Sequence, residues 1–188
     1  TCALPILYTQ CEAMIARHSS EVMNKPRAKA FADFRSLGFP TRKVEKYKYT
    51  DVAKLFEPDY GLNLNRLDIP VDSSEVFKCD VPNMSTSLYF MLNDGFDSRD
   101  LPKATLPEGV WAGSLKEFST LHPELAEAHY GRLADTARDA VTALNTMLAQ
   151  DGFVLYVPKG VVVERPIQLI NMLRSNVDFM VNRRVLII

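Results

Sequence analysis

The sequence predicts an α+β fold, a helix-rich front followed by an all-β continuation, and three observations point there. The stretch "ARDAVTALNTMLAQDG" carries apolar residues at helical spacing and stops at a turn signal. From Phe153 the pattern changes to short, mostly β-branched runs, "GFVLYVPKGVVVERPIQLINM" and then "VDFMVNRRVLII". Pro-Lys-Gly, Arg-Pro and "LRSN" corners separate those runs, with no helical pattern between them. The border falls at about residue 151. Short strands with tight corners fit a sandwich, a barrel or a β-solenoid, and patterning alone leaves the three open.

The elements follow in order. "ILYTQCEAMIARHSSEVM" predicts a helix with Ile6, Met14, Ile15 and Met23 as its apolar members. Asn24 and Pro26 mark a second start, because a missing N–H costs nothing in a first helical turn. "RAKAFADFRSLG" places Ala30, Phe31, Phe34 and Leu37 on one stripe, with Gly38 where a C-capping glycine belongs. These helices make a hairpin or a small bundle. An extended "FPTRK" then leads into a short helix, "YTDVAKLF", capped by Thr50 or Asp51 and ended by Pro58 and Gly61.

Periodicity weakens from Leu62 to Asp100, where "SLYFMLNDG" reads as a strand with an Asn-Asp-Gly turn behind it. "GVWAGS" is a second short strand, and Ser114 with Glu117 has capping-box spacing. "HPELAEAHYGRLADTARDAVTALNTMLAQDG" is mostly helix, broken near Gly131, with Ala137, Ala140, Val141, Leu144, Met147 and Leu148 as its apolar stripe. The division is therefore a helical region over 1–60, a mixed region over 61–150 and strands over 151–188. The final run, Val185 to Ile188, is uncharged and calls for a strand partner. That unfinished strand predicts the front portion of a longer protein, and Thr1 in place of a starting Met points to a missing or processed native start.

Composition narrows the function. Twenty-two Lys and Arg against 23 Asp and Glu leave a net charge of −1, which gives no overall attraction to nucleic acid or anionic lipid. Cys2, Cys11 and Cys79 include no Cys-x-x-Cys pair, so neither a zinc site nor a dithiol redox centre is signalled, and a reducing cytoplasm is the expected setting. No apolar run approaches the roughly 18 to 20 residues of a membrane span.

Candidate chemistry is sparse. His122 and His129, with Glu124 and Glu127 nearby, sketch a metal set, but their spacing is not the i, i+4 pattern that lets two imidazoles share one ion. Surface or capping histidines are the better reading, and His18 sits among polar residues. Cys79, in "FKCDVPN", lacks a neighbouring histidine and reads as a loop thiol. No nucleophile elbow, phosphate loop or dinucleotide fingerprint is present, so no enzyme is expected.

The odd stretch is "TRKVEKYKYTD", with Arg42, Lys43, Lys46 and Lys48 set against Glu45. Cations interleaved with aromatics allow a nucleic-acid or membrane patch. The stronger reading is a joint, an extended strand whose Tyr47 and Tyr49 pack inward while its lysines face water.

"GFPTRKVEKYKYTDVAKLF" resembles the N-terminal signature of the SufB/SufD family, carried here by Pro40, Arg42, Glu45, Lys48, Tyr49 and Thr50, with Tyr47 where tryptophan is usual. "ALNTMLAQDGFVLYVPKGVVVERPIQLIN" resembles a second family block through Leu144, Asn145, Asp151, Gly152, Pro158, Gly160, Pro166 and Ile167. "GVWAGSLKEF" is a looser third point, and "RRVLII" is similar to the family's Pro-Arg-x-Leu-Ile run. The poorly patterned front is more similar to SufD than to SufB.

The resemblance implies a helical N-terminal domain followed by a right-handed parallel β-helix, broken off here at Ile188. It implies a non-ATPase scaffold in the cytosolic SufBCD complex, which assembles iron–sulfur clusters with a SufC-like ABC ATPase and a SufB-like paralogue. A homodimer is a further option. The transient cluster belongs to the whole complex, and the cluster and ATPase-docking residues of the family lie beyond Ile188, so no cofactor is expected on this segment. The alternatives are a β-helix carbohydrate-active enzyme, a generic β-solenoid interaction protein and, more weakly, nucleic-acid binding by residues 41–50.

Overall fold

A computed structural model describes residues 3–58, 60–62, 64, 86–99 and 106–188. Helix α1 (Ala3–Arg17) buries Leu4, Tyr8 and Ile15, with Cys11 half-buried between them, at the four-three-four spacing of a single helical face. The predicted face differs. Ile15 is buried, but Ile6, on the opposite side of the helix, and Met14, on its flank, are 55% and 39% exposed. Ser20 caps α2 (Glu21–Asn24), its hydroxyl accepting the Met23 N–H at 3.3 Å. Pro26 precedes α3 (Arg27–Leu37), and Gly38 closes it at φ +62°, a left-handed conformation that favours glycine. Ala30 and Phe34 face inward as expected, while Leu37 does not.

The segment after α3 departs from the extended reading. It forms a 3₁₀ turn (Glu45–Tyr47) between further turns, then α4 (Val52–Leu55), whose cap is Asp51 accepting the Lys54 N–H at 3.2 Å. Turns abolish the two-residue alternation of a strand, so the two tyrosines do not share a face: Tyr47 is half-buried and Tyr49 is 91% exposed.

Strands β1 (Gly61–Leu62), β2 (Ser87–Leu92) and β3 (Gly95–Asp97) come next, β2 and β3 forming the expected hairpin around Asn93 at φ 52°. β4 (Trp111–Ser114) runs into α5 (Leu115–Leu121), which Ser114 caps through the Glu117 N–H at 3.1 Å. α6 (Pro123–His129) follows. The predicted break at Gly131 widens into turns that last until Asp139, leaving Ala137 outside the helix and exposed. α7 (Ala140–Leu148) then buries Ala140, Ala143, Leu144, Met147 and Leu148. The strands β5 (Phe153–Tyr156), β6 (Ile167–Met172), β7 (Phe179–Met180) and β8 (Val185–Ile187) end the chain, so the change of pattern near residue 151 is a change of structure.

The architecture is mixed α+β, with three small sheets ordered β1-β7, β3-β2-β6 and β4-β5-β8. Each sheet contains one parallel pair: β1 with β7, β2 with β6, and β5 with β8. The hairpin β2-β3 and the pair β4-β5 are antiparallel. Alternation along β5 sorts its side chains. Phe153 and Leu155 join Tyr89, Met91, Phe96, Ile167 and Leu169, whereas Val154 and Tyr156 join Leu115, Phe118, Leu186 and Ile188 beneath α5 and α6. A separate core unites α1, α3 and α7 with Met180. Among the described residues no helix is long and apolar enough to cross a membrane.

Candidate functional site

Helix α7 is gripped at its start, middle and end by the residues that the sequence singles out and by several that it does not. At the start stands Asp139. One of its carboxylate oxygens caps the helix through the Thr142 N–H at 2.8 Å, and the other accepts the Tyr47 hydroxyl at 2.7 Å and the Lys46 ammonium. Burial works to raise the Asp139 pKa, but the hydrogen bonds from Lys46, Thr142 and Tyr47 outweigh it and hold the carboxyl at about 2. The Tyr47 phenol is shifted upward, by burial first and then by its hydrogen bond to Asp139.

At the end stands Arg27, 2% exposed on the inward side of α3. Its guanidinium donates to the carbonyls of Thr146, Met147 and Ala149 at 3.3, 2.8 and 2.6 Å, and its Nε donates to Asn24 Oδ1 at 2.8 Å. The last carbonyls of a helix have no intrahelical donor, and their partial negative charge suits a cation. Burial lowers the Arg27 pKa, which leaves a guanidinium charged all the same.

The middle of α7 reaches the final strand. Asn145 Nδ2 donates to the Arg183 carbonyl at 3.0 Å, and Thr146 Oγ1 accepts from the Arg184 guanidinium, which lies over the Tyr130 ring at 5.5 Å. Just past the helix, the Asp151 carboxylate gathers the Phe96, Lys116 and Gly152 N–H groups and the Ser114 hydroxyl at 2.8 to 3.1 Å. Gly152 has no room for a side chain, since a Cβ there would lie 2.2 Å from the Arg184 carbonyl oxygen. That same oxygen accepts the Phe153 N–H at 2.8 Å and begins the β5-β8 ladder.

Asn145, Asp151 and Gly152 therefore meet at one corner. The remaining signature residues are spread more widely. Pro40 is half-buried; Arg42 lies 3.6 Å from Asp51 and Glu45 lies 3.9 Å from Lys48, both loose surface pairs; Thr50 donates its N–H to Tyr47 at 2.9 Å. Pro158 accepts from Val161 at 3.0 Å in a turn where Gly160 has φ +83°, and the Pro166 carbonyl accepts the Ser87 N–H at 2.9 Å.

The sequence does not single out Arg27, Asp139, Asn93, Arg183 or Arg184 as site residues. Arg27 left a trace, as the one charged member of the stripe Met23, Arg27, Ala30, Phe34. Asp139 left another, an acid directly before the apolar run. Asn93 pairs with Arg174 both ways, donating at 3.0 Å and accepting at 2.9 Å, and its carbonyl accepts from Arg183. Contacts of that kind leave no local pattern.

His122 and His129 lie away from α7. His122 separates α5 from α6 with its ring 5.1 Å from Phe118, and His129 is exposed. Cys11 packs on the α1-α3-α7 core; Cys2 and Cys79 lie outside the described residues. Among the described residues, no group of His, Cys, Asp and Glu is arranged to hold a metal ion.

A family model described as the SufBD protein N-terminal region matches residues 3–169. No curated protein matches the chain.

Proposed function

This chain belongs to the SufBD N-terminal-region family, and from that premise we propose that it serves as the front portion of a SufD-like, non-ATPase scaffold subunit of a SufBCD-type complex. The family is one of non-catalytic scaffold proteins. The proposed cargo is an iron–sulfur cluster built by the whole complex in the cytoplasm. The proposed partners are a SufB-like paralogue and a SufC-like ATPase, docking through chain beyond Ile188.

The observation that carries this reading is the family match over residues 3–169. The geometry supports it from another direction. Phe153, Val154 and Leu155 stack in parallel register on Val185, Leu186 and Ile187. In such a ladder paired residues share a face, so Val185 and Ile187 continue the columns begun by Phe153 and Leu155, yet they are 53% and 70% exposed. Columns of this kind suit the first coil of a right-handed parallel β-helix awaiting its second. On this reading residues 1–60 are the helical region, 61–150 the mixed region and 151–188 the first rungs. Of the signature residues, Tyr47, Asn145, Asp151 and Gly152 are proposed to be structural, holding the helices to that stack.

Anaerobic co-purification tests the proposal. The tagged parent protein should bring down a SufB-like subunit and a SufC-like ATPase, and residues 1–188 alone should bring down neither. A folded parent chain that captures neither partner would overturn the scaffold role and leave the fold.

A further inference from the structure

Anchoring Lys46 and Tyr47 on Asp139 turns the rest of their segment toward water. The segment is nonetheless ordered by its own hydrogen bonds. Val44 donates to Thr41 at 3.0 Å, Tyr47 to Val44 at 2.8 Å, Lys48 to Glu45 at 3.2 Å and Thr50 to Tyr47 at 2.9 Å. Arg42 reaches across to Asp51 at 3.6 Å. The result is a knob of consecutive turns pinned to the start of α7.

Arg42, Lys43, Val44, Lys48 and Tyr49 project from it, all exposed. Tyr49 is 91% exposed, and its ring meets the Lys48 ammonium at 5.6 Å. Lys43 has no carboxylate partner among the described residues. An aromatic this exposed, a lysine without a carboxylate partner among the described residues and two cations held only in loose surface pairs add little to this fold, and Tyr and Arg are the residue types that anchor protein interfaces.

We infer that this knob is a docking surface for an acidic segment of a protein partner, with Tyr49 as the apolar anchor and Arg42, Lys43 and Lys48 as the carboxylate-binding cations. Its order before binding lowers the entropic cost of association. Charge complementarity selects the partner. Glu45 and Asp51 sit among the cations, 3.9 Å from Lys48 and 3.6 Å from Arg42, and interrupt the continuous positive track that a phosphate backbone requires. One exposed ring is also no stacking platform for successive bases. Separate carboxylates on a peptide can pair with each cation in turn. The inference is independent of the scaffold role, since the surface stands on its own geometry.

The test is fluorescence anisotropy at low salt with a fluorescein-labelled peptide that alternates glutamate and alanine around one phenylalanine. Its controls are the same peptide with glutamine for glutamate, and a labelled oligo-dT strand. The acidic peptide should bind saturably and release as salt rises. Lys43→Glu with Lys48→Glu should weaken it at least about tenfold, and Tyr49→Ala about fivefold, with unchanged melting curves. Should the charge reversals lower the melting curve, Lys43→Gln with Lys48→Gln replaces them and should still weaken binding. Equal binding of the acidic and neutral peptides, variants that bind like the parent, or tighter binding of oligo-dT would each overturn the inference.

Discussion

The Tyr47 hydroxyl donates to the Asp139 carboxylate at 2.7 Å, across 92 residues of chain. Asp139 also caps α7, so one side chain starts a helix and fastens the preceding segment to it. Tyr47→Phe should cost about 1 kcal/mol through the lost charge-assisted bond, and Tyr47→Ala about 2 kcal/mol once ring packing goes as well. Tyr49→Ala should leave the urea midpoint unmoved. A Tyr49 effect as large as that of Tyr47 would show that the two side chains share a core.

The same carboxylate makes stability depend on pH. Its folded pKa of about 2 lies below the unfolded value of about 3.9. The stabilisation is therefore complete above the unfolded value and disappears as pH falls from about 4 toward 2. Asp139→Asn should lower stability by about 2 kcal/mol at neutral pH and flatten its slope across that window. Urea unfolding of both proteins at a series of pH values reads this directly. Parallel curves would assign the acid sensitivity elsewhere.

Arg27 holds three carbonyls at the end of α7. Arg27→Met should cost about 3 kcal/mol or more, because each buried carbonyl left unpaired carries its own desolvation penalty. Arg27→Lys should recover only part of the loss, since a single ammonium cannot reproduce the planar fork. A Lys variant with the unfolding midpoint of the parent would show that the fork geometry is irrelevant.

Gly152 and Gly131 test steric fit against backbone conformation. Gly152→Ala would drive a Cβ to within 2.2 Å of a backbone oxygen and part β5 from β8, costing about 3 kcal/mol or more. Gly131→Ala meets nothing within 4 Å and loses only the ease of φ +72°, about 1 kcal/mol. Thermal melts of the two variants should rank in that order.

What could be read from the sequence was local. The caps at Asp51, Ser114 and Gly38, the Asn93 hairpin and the shift from helix to strand near residue 151 each depend on neighbours within a few residues. The inward face of α1 was misjudged because apolar residues lie on both its sides, and only packing against α3 and α7 selects Leu4, Tyr8 and Ile15. The tyrosine pair departs from its expected shared face because turns form where alternation predicts a strand. Arg27 and Asp139 act on partners far along the chain, and one sequence has no means of expressing such pairings.

The parallel pairing of Ser87–Leu92 with Ile167–Met172 bears on how the protein is made. A nascent chain that has delivered the β2-β3 hairpin to solvent has nothing to complete that sheet until β6 is synthesised. The helical core waits as well, since α1 and α3 touch through Tyr8 and Phe31 but share their core with α7. Loops this long are slow to close, and an unpaired strand edge is open to wrong partners in the interval. Synthesis must therefore outrun folding for most of this segment's length, and the early strands depend during translation on whatever shields them from aggregation.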